Sequence, residues 1–488
     1  MVFDAIAMLV YIGIVYVWSL SIHPLGRDYA LLEARGHGLP FPLGHFVAWE
    51  VAAFDSTTFA YHLVNLALLY GCMQCVYHFV RWTVGGPAWL GALAAVLFMA
   101  NPVHSEAVLN LCGVVDLAPA LFALGVLAAY AAHAKAPRQW KYALALALFA
   151  LAVIPHPQNA FLVLALALFE WLVVEEGKRR FIRLAPFAAI AVGAWRLHAA
   201  IFTLSALNPA RMFAPLYFLF YPLGFLPETA RRFHEQPWLG WLAAVVVIAL
   251  LWLIYRKARH PAMLFGLLAM PAVRLFQGEH FIDPVHMIGG GQLLLANALF
   301  VTALVALFLQ MMHHPKWRHQ IVAFTTMLCL VFFGLQIHAI FAWRHAAQEV
   351  KQFQTQAYAA QPDGPLGVIP DYECFQTAPL CLSASVCADT PFSRRTPVQS
   401  LLPLNYVKGM RVSIQEQTER SITLCVDNAA PLEVVPYPFT ATREGAIQGT
   451  AGGEFALLQE GDAFLLRVRC ANKPIPPRLL PASPRGHS

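Results

Sequence analysis

Charge is what this sequence has least of. Only 12% of its 488 residues are Asp, Glu, Lys or Arg, against roughly 25% in soluble domains, while 59% are hydrophobic and the mean hydropathy is +0.57. That scarcity excludes an ordinary soluble enzyme and leaves a polytopic membrane protein. The net charge of +6 comes from short basic clusters set between apolar runs, so it marks topology and not a nucleic-acid surface. Other markers are missing too. There is no P-loop, no GxSxG elbow and no HExxH, which removes the usual signatures of nucleotide-driven transport and of common hydrolase chemistry. The inverted repeats of broken helices expected of many transporters are also absent, so lipid or ion transport has little to support it.

What is present is a series of apolar runs. A crossing takes about 20 residues at 1.5 Å each to cover a hydrocarbon core of ~30 Å. About eleven runs fit, near 5–22, 59–80, 87–101, 114–133, 141–155, 158–174, 185–203, 238–255, 261–276, 287–311 and 321–343. The third, fifth and ninth are short. Arg81, Lys135, Arg138, Lys141, Lys178, Arg179, Arg180, Arg183, Arg256, Lys257, Arg259, Lys316 and Arg318 all fall on one side, which positive-inside bias makes cytoplasmic. The amino terminus is then inside, the first run is an uncleaved signal anchor, and the carboxyl tail is outside.

Past Arg344 the composition changes, which divides the chain into 1–345, all-α and membrane-spanning, and 346–488, a small β-rich extracytoplasmic domain. Period-two alternation in Met410-Arg-Val-Ser-Ile-Gln and Ser421-Ile-Thr-Leu-Cys-Val predicts strands. Glu454 to Gln459, the turn at Glu460-Gly-Asp, and Ala463 to Arg469 read as a hairpin, and the last dozen residues as a loose tail. Five of the nine cysteines, Cys374, Cys381, Cys387, Cys425 and Cys470, lie in this part, where disulfides persist. Cys425 with Cys470 is the pair expected across two strands, with one more pair among the first three; free buried thiols are the alternative.

Asn101 to Tyr130 carries His104, Glu106 and Asp116 inside a stretch otherwise written for lipid. On a helix running from Glu106, the residues Glu106, Asn110, Gly113 and Asp116 fall within about 120° at ~100° per residue, one polar face turned away from lipid. Ionisable groups at membrane depth cost on the order of 3 kcal/mol and are kept where they meet a cavity, partner or substrate. The long first loop, 22–60, holds Arg27, Asp28 and Tyr29; an acid there reaches the water interface and can act as a base, or it can pair with Arg27 or cap a loop helix. Ile154-Pro-His-Pro-Gln-Asn at the end of the fifth run reads first as a turn. Arg211, Arg231, Arg232, Arg274 and His286 are candidates for a lipid phosphate, since Arg offers bidentate donors, though arginines also pair with anionic lipid. Cys72-Met-Gln-Cys75 lies within a span and lacks the context of a haem or redox motif, and His62, His78, His198 and His338 show no matched pair for haem ligation.

The order of several segments resembles the GT-C superfamily of polyprenyl-phosphate-sugar-dependent glycosyltransferases, nearest the transmembrane O-mannosyltransferases with tetratricopeptide tails and their bacterial relatives. The resemblance rests on Tyr61-His-Leu-Val-Asn-Leu-Ala-Leu-Leu, on Asn101-Pro-Val-His-Ser-Glu-Ala-Val with Gly113 and Asp116, and on Ala143-Leu-Ala-Leu-Ala-Leu-Phe-Ala-Leu-Ala. Arg211-Met-Phe-Ala-Pro-Leu-Tyr, Tyr221-Pro-Leu-Gly-Phe-Leu-Pro and Pro261-Ala-Met-Leu-Phe-Gly agree more loosely.

That resemblance implies about eleven spans in a bacterial inner membrane, with the tail domain periplasmic. It implies an inverting transfer in which Asp28 deprotonates an acceptor hydroxyl while the lipid phosphate leaves. His104, Glu106, Asp116 and Arg27 would shape the donor and acceptor site; a protein or glycan would be the acceptor. A divalent metal would need Glu106 or Asp116 to converge on Asp28. The chain departs from the family at named places. Arg27 and Tyr29 flank Asp28 where paired acids are usual, Val114-Val115 precedes Asp116 where an Arg is usual, Pro155-His156 replaces a Ser-Lys, and Asp283-Pro-Val-His-Met-Ile-Gly replaces an Arg-Tyr-rich stretch. No tetratricopeptide repeats follow. These departures carry the alternative function, a non-catalytic GT-C-like subunit serving as scaffold in a membrane complex.

Overall fold

The computed structural model describes residues 2–25, 28–37, 39, 42–174, 178–197, 260–273, 293–313 and 315–359, scattered positions from 238 to 249, then 374–375, 378–379, 390–392 and strand segments between 411 and 470. The chain divides into two compact units, Met1–Ile22 with Arg35–Arg344, and His23–Ala34 with His345–Ser488.

The helices in chain order are α1 (Val2–Tyr16), α2 (Asp28–Ala34), α3 (Leu43–Phe54), α4 (Thr58–Thr83), α5 (Ala88–Ala100), α6 (Ser105–Leu109) and α7 (Val114–Lys135). They continue as α8 (Gln139–Val153), α9 (Leu162–Leu172), α10 (Ala185–Leu197), α11 (Pro261–Ala272), α12 (Leu294–Met312) and α13 (Pro315–Ala359). All belong to the first unit except α2 and the part of α13 from His345 onward. Among the described residues, five segments are long and apolar enough to cross a membrane: Asp4–Ser21, Thr58–Thr83, Val114–Lys135, Leu294–Met312 and Lys316–Gln352. With six shorter apolar helices beside them, the chain is a multi-pass membrane protein whose first unit is helical. Ten of the eleven expected runs carry a described helix; the run near 238–255 lies outside the described residues apart from scattered positions. The three runs expected to be short are short, with 13 residues in α5, 15 in α8 and 12 in α11.

Burial shows which helix is central. Along α7, residues from Val114 through Ala120 and from Ala123 through Leu127 are buried with no exposed stripe, because α4 and α8 pack on it from both sides. By contrast α1 leaves Ile6, Leu9, Val10 and Ile14 exposed, and α13 leaves Val322, Phe324, Met327 and Leu330 exposed, as lipid-facing helices do. Those two helices meet through Tyr11 with Phe333, and Trp18 in the 3-10 turn after α1 meets Phe341, ring centroids 6.2 Å and 6.5 Å apart. Close contact between α11 and α12 depends on Gly266, where a Cβ would stand 2.5 Å from the Leu299 carbonyl oxygen. Toward the basic loops, Phe79, Phe169 and Phe265 join α4, α9 and α11, and Lys135 and Lys141 lie over the Trp82 ring at 5.8 Å and 5.7 Å. Tyr130 there donates a short hydrogen bond to the fully buried Glu170.

In the second unit the strands are β1 (Cys374–Phe375), β2 (Ala378–Pro379), β3 (Arg411–Gln417), β4 (Ser421–Asp427), β5 (Phe439–Ala441), β6 (Ala446–Gly449), β7 (Gly453–Glu460) and β8 (Ala463–Cys470). Six of them form an antiparallel sheet in the order β3-β4-β8-β7-β6-β5. Glu460 stands opposite Ala463, the register of a tight hairpin. The ladder corrects one expectation. Cys425 is opposite Leu465 on β8, so Cys470 lies five positions further along, about 16 Å away at ~3.3 Å per residue, beyond the ~7 Å limit between Cα atoms of a disulfide. Strand adjacency was read correctly for these two cysteines, but register separates them. Cys374 begins β1, while Cys381 and Cys387 lie outside the described residues.

Candidate functional site

The polar connection between α5 and α7 is built by tying an interrupted backbone to distant helices. Asn101 ends α5 in an extended conformation, φ −65° and ψ 121°, as the residue before Pro102 must. Its Nδ2 donates to Asn297 Oδ1 of α12 at 3.0 Å, and Asn297 Nδ2 donates to the Phe98 carbonyl at 3.1 Å. Pro102–His104 then makes a single 3-10 turn. His104 Nε2 donates to the Met99 carbonyl at 2.9 Å, and its ring stacks on Phe98 at 5.4 Å. That bond leaves Nδ1 as the bare nitrogen of a neutral imidazole. Complete burial pushes the His104 pKa down to about 4, the Met99 hydrogen bond opposing it only in part, so the ring is neutral at pH 7. Ser105 Oγ donates to the Pro102 carbonyl at 2.7 Å and lies 3.3 Å from Gln336 Oε1 of α13.

One expectation is corrected at this point. Glu106 and Asp116 do not share a helix face, because α6 stops at Leu109 and α7 starts at Val114. Asn110 leaves the helix at φ −65° and ψ 142°, and its carbonyl accepts from Asn65 Nδ2 of α4 at 2.7 Å. The same amide nitrogen lies 3.3 Å from the Leu111 carbonyl and 3.5 Å from that of Val108. Asn65 thus satisfies a row of carbonyls that a continuous helix would have bonded itself. Gly113 is required by that close approach: a Cβ would stand 2.1 Å from the Ala107 carbonyl oxygen and 2.8 Å from Asn65 Nδ2. Glu106 and Asp116 are 6% and 8% exposed, and Asp116 occupies the first turn of α7, where the helix dipole favours an anion.

Pro119 sits inside α7 and has no N–H for the Val115 carbonyl one turn back. His156 fills that place, donating from Nε2 to the Val115 carbonyl at 3.3 Å, while its Nδ1 accepts from Gln158 Nε2 at 3.0 Å. The segment read as a turn at 154–159 is therefore also a clamp on α7.

In the second unit Asp28 is the first residue of α2 and is fully buried, where the water interface was expected. Its Oδ2 accepts from the Leu25 N–H at 3.1 Å while its own N–H donates to the Leu25 carbonyl at 3.0 Å, closing the turn that leads into α2. Gln354 donates to the hydroxyl of neighbouring Tyr29 at 3.1 Å. Arg27, Arg211, Arg231, Arg232, Arg274 and His286 lie outside the described residues. Among the described residues no three His, Cys, Asp or Glu side chains group as metal ligands.

Asn65, Asn297 and Gln336 escaped the sequence reading as site residues. The signal was there, an amide inside each of three apolar runs, but the sequence does not say which loop each amide faces. His62, weighed for haem, donates to the Ile22 carbonyl at 3.0 Å.

No family model and no curated protein matches the sequence. Among solved structures the chain is similar to the crystal structure of ArnT from Cupriavidus metallidurans bound to undecaprenyl phosphate. Identity is 14% over 78% of this chain and 84% of that one, with a TM-score of 0.46. A likeness of that degree fixes neither the fold nor the chemistry of this chain.

Proposed function

We propose that the chain is an integral-membrane glycosyltransferase that moves a sugar from a polyprenyl-phosphate-linked donor to an extracytoplasmic acceptor. One observation carries the reading: the connection 101–113 is buried, polar and fixed by amides from α4 and α12. Polar groups buried and held in this way suit a ligand or a reaction. The residues of this connection are also those that resemble the GT-C family. In this reading Asp28 is the base for the acceptor hydroxyl, and His104, Glu106, Asp116 and Arg27 shape the donor and acceptor site. Arg211, Arg231, Arg232, Arg274 and His286 hold the lipid phosphate. The amino terminus is cytoplasmic, the membrane is the bacterial inner membrane, and the tail domain is periplasmic.

The test is release of polyprenyl phosphate from polyprenyl-phosphate sugars by membranes containing the protein. Asp28→Asn should reduce release by about 100-fold or more at unchanged membrane expression, the size of a lost general base. A variant that retains most of its activity removes Asp28 from that role.

A second reading, a non-catalytic GT-C-like scaffold, is favoured by a different observation. Val115 and His156, which stand where the family carries cations, are joined to each other in a backbone-closing hydrogen bond. A stoichiometric complex recovered in mild detergent, with no glycan change on deletion, would select it.

A further inference from the structure

Asn65 and Asn110 hold polar atoms that folding leaves unused. Three carbonyls surround Asn65 Nδ2, which fixes the orientation of that amide and makes Oδ1 its other end. Oδ1 is buried and has no hydrogen-bond partner among the described residues. Asn110 is fully buried, and its backbone is engaged at both ends, N–H to the Glu106 carbonyl at 3.0 Å and carbonyl to Asn65. Its side-chain Nδ2 and Oδ1 are both without partners among the described residues, so turning the amide over cures nothing. Each such atom costs about 1–3 kcal/mol, and leucine would fill the same volume without that cost. Six residues earlier on the same connection, His104 Nδ1 is buried and unpartnered as well.

The kind of atom identifies the kind of ligand. Three of the unused atoms, Asn65 Oδ1, Asn110 Oδ1 and His104 Nδ1, are acceptors, and Asn110 Nδ2 is a donor. Phosphate oxygens only accept. A hydroxyl group donates one hydrogen bond and accepts two. We infer that Asn110, held by Asn65, forms a hydroxyl-recognising subsite that binds the sugar ring and not the lipid phosphate. The inference rests on the glycosyl-transfer reading and goes beyond it by naming the residue that senses the sugar. Gly113 keeps the subsite rigid, since any larger residue there would push Asn65 away from the carbonyls it holds.

The experiment uses the full chain in lipid nanodiscs, probed with methyl glycosides of the common hexoses and pentoses at millimolar concentration, with polyprenyl phosphate, and with inorganic phosphate. The readout is the thermal midpoint followed by tryptophan fluorescence. At least one glycoside should raise the wild-type midpoint saturably, and Asn110→Ala should weaken that glycoside roughly tenfold, the worth of about one buried hydrogen bond, while polyprenyl phosphate binds as before. Asn110→Leu removes two unpaired atoms at similar volume, so it should fold at least as well as wild type and lose the glycoside response. If no glycoside shifts the wild type, or both variants respond as it does, the subsite is overturned and Asn110 is structural. A wild type that binds neither polyprenyl phosphate nor any glycoside overturns the transferase reading itself. Binding of polyprenyl phosphate alone overturns only the subsite.

Discussion

His156 hydrogen-bonds the Val115 carbonyl that Pro119 leaves open in the first turns of α7. A proline inside a membrane helix frees a backbone acceptor that lipid cannot satisfy, and here a side chain from the next helical hairpin supplies the missing donor. The arrangement makes residues 37 or more positions apart a single unit, and it leads to the first expectation.

His156→Ala should destabilise the protein by about 1–2 kcal/mol through the unpaired carbonyl. In a Pro119→Ala background an N–H is restored to Val115, and the same substitution should cost clearly less. A double-mutant cycle by reversible denaturation in detergent measures the difference, and strict additivity would break the proposed coupling.

Asn65→Asp should be much worse than Asn65→Ala. The donor facing three carbonyls becomes an oxygen facing three oxygens, a repulsion added to the lost hydrogen bonds. The expected cost is about 3 kcal/mol or more, read as folded yield and thermal midpoint. Equal midpoints for the two variants would show that the amide does not hold the loop.

Gly113→Ala should lower stability by about 1–3 kcal/mol, because the nearest atom to the new methyl is the backbone oxygen of Ala107 and cannot swing aside. A Gly113→Ala protein with an unchanged midpoint would mean that α7 can start elsewhere without penalty.

Stability should depend on pH through His104. Its folded pKa, about 4, lies below the unfolded value of roughly 6.5, so the unfolded chain takes up the proton first. The contribution is complete above pH ~6.5 and is lost as pH falls toward 4, by on the order of 3 kcal/mol at most. His104→Gln should flatten this part of a pH-dependent unfolding series. A profile that keeps its slope would assign the effect to other groups.

Lipid explains why so much of the first unit was legible in the sequence. Where water is excluded, an apolar run has no choice but to bond its own backbone, so α4, α7 and α12 follow from composition alone. The break at Asn110 was not legible. Glu106 to Asp116 has the spacing of one helix, and only Asn65, 45 residues earlier, decides that the carbonyls there go unbonded by the chain itself. His156 was read correctly as part of a turn, but its grip on Val115 was invisible because Pro119 lies in α7 and His156 in the turn after α8. Cys425 and Cys470 show the same limit in the second unit, since alternation reveals a strand but not its register.

The shortness of α5 has a consequence for the surrounding lipid. Thirteen residues rise about 20 Å, some 10 Å less than the hydrocarbon core, so α5 cannot span a bilayer by itself. Eight of its thirteen residues are buried, so neighbouring helices and not lipid cover most of it.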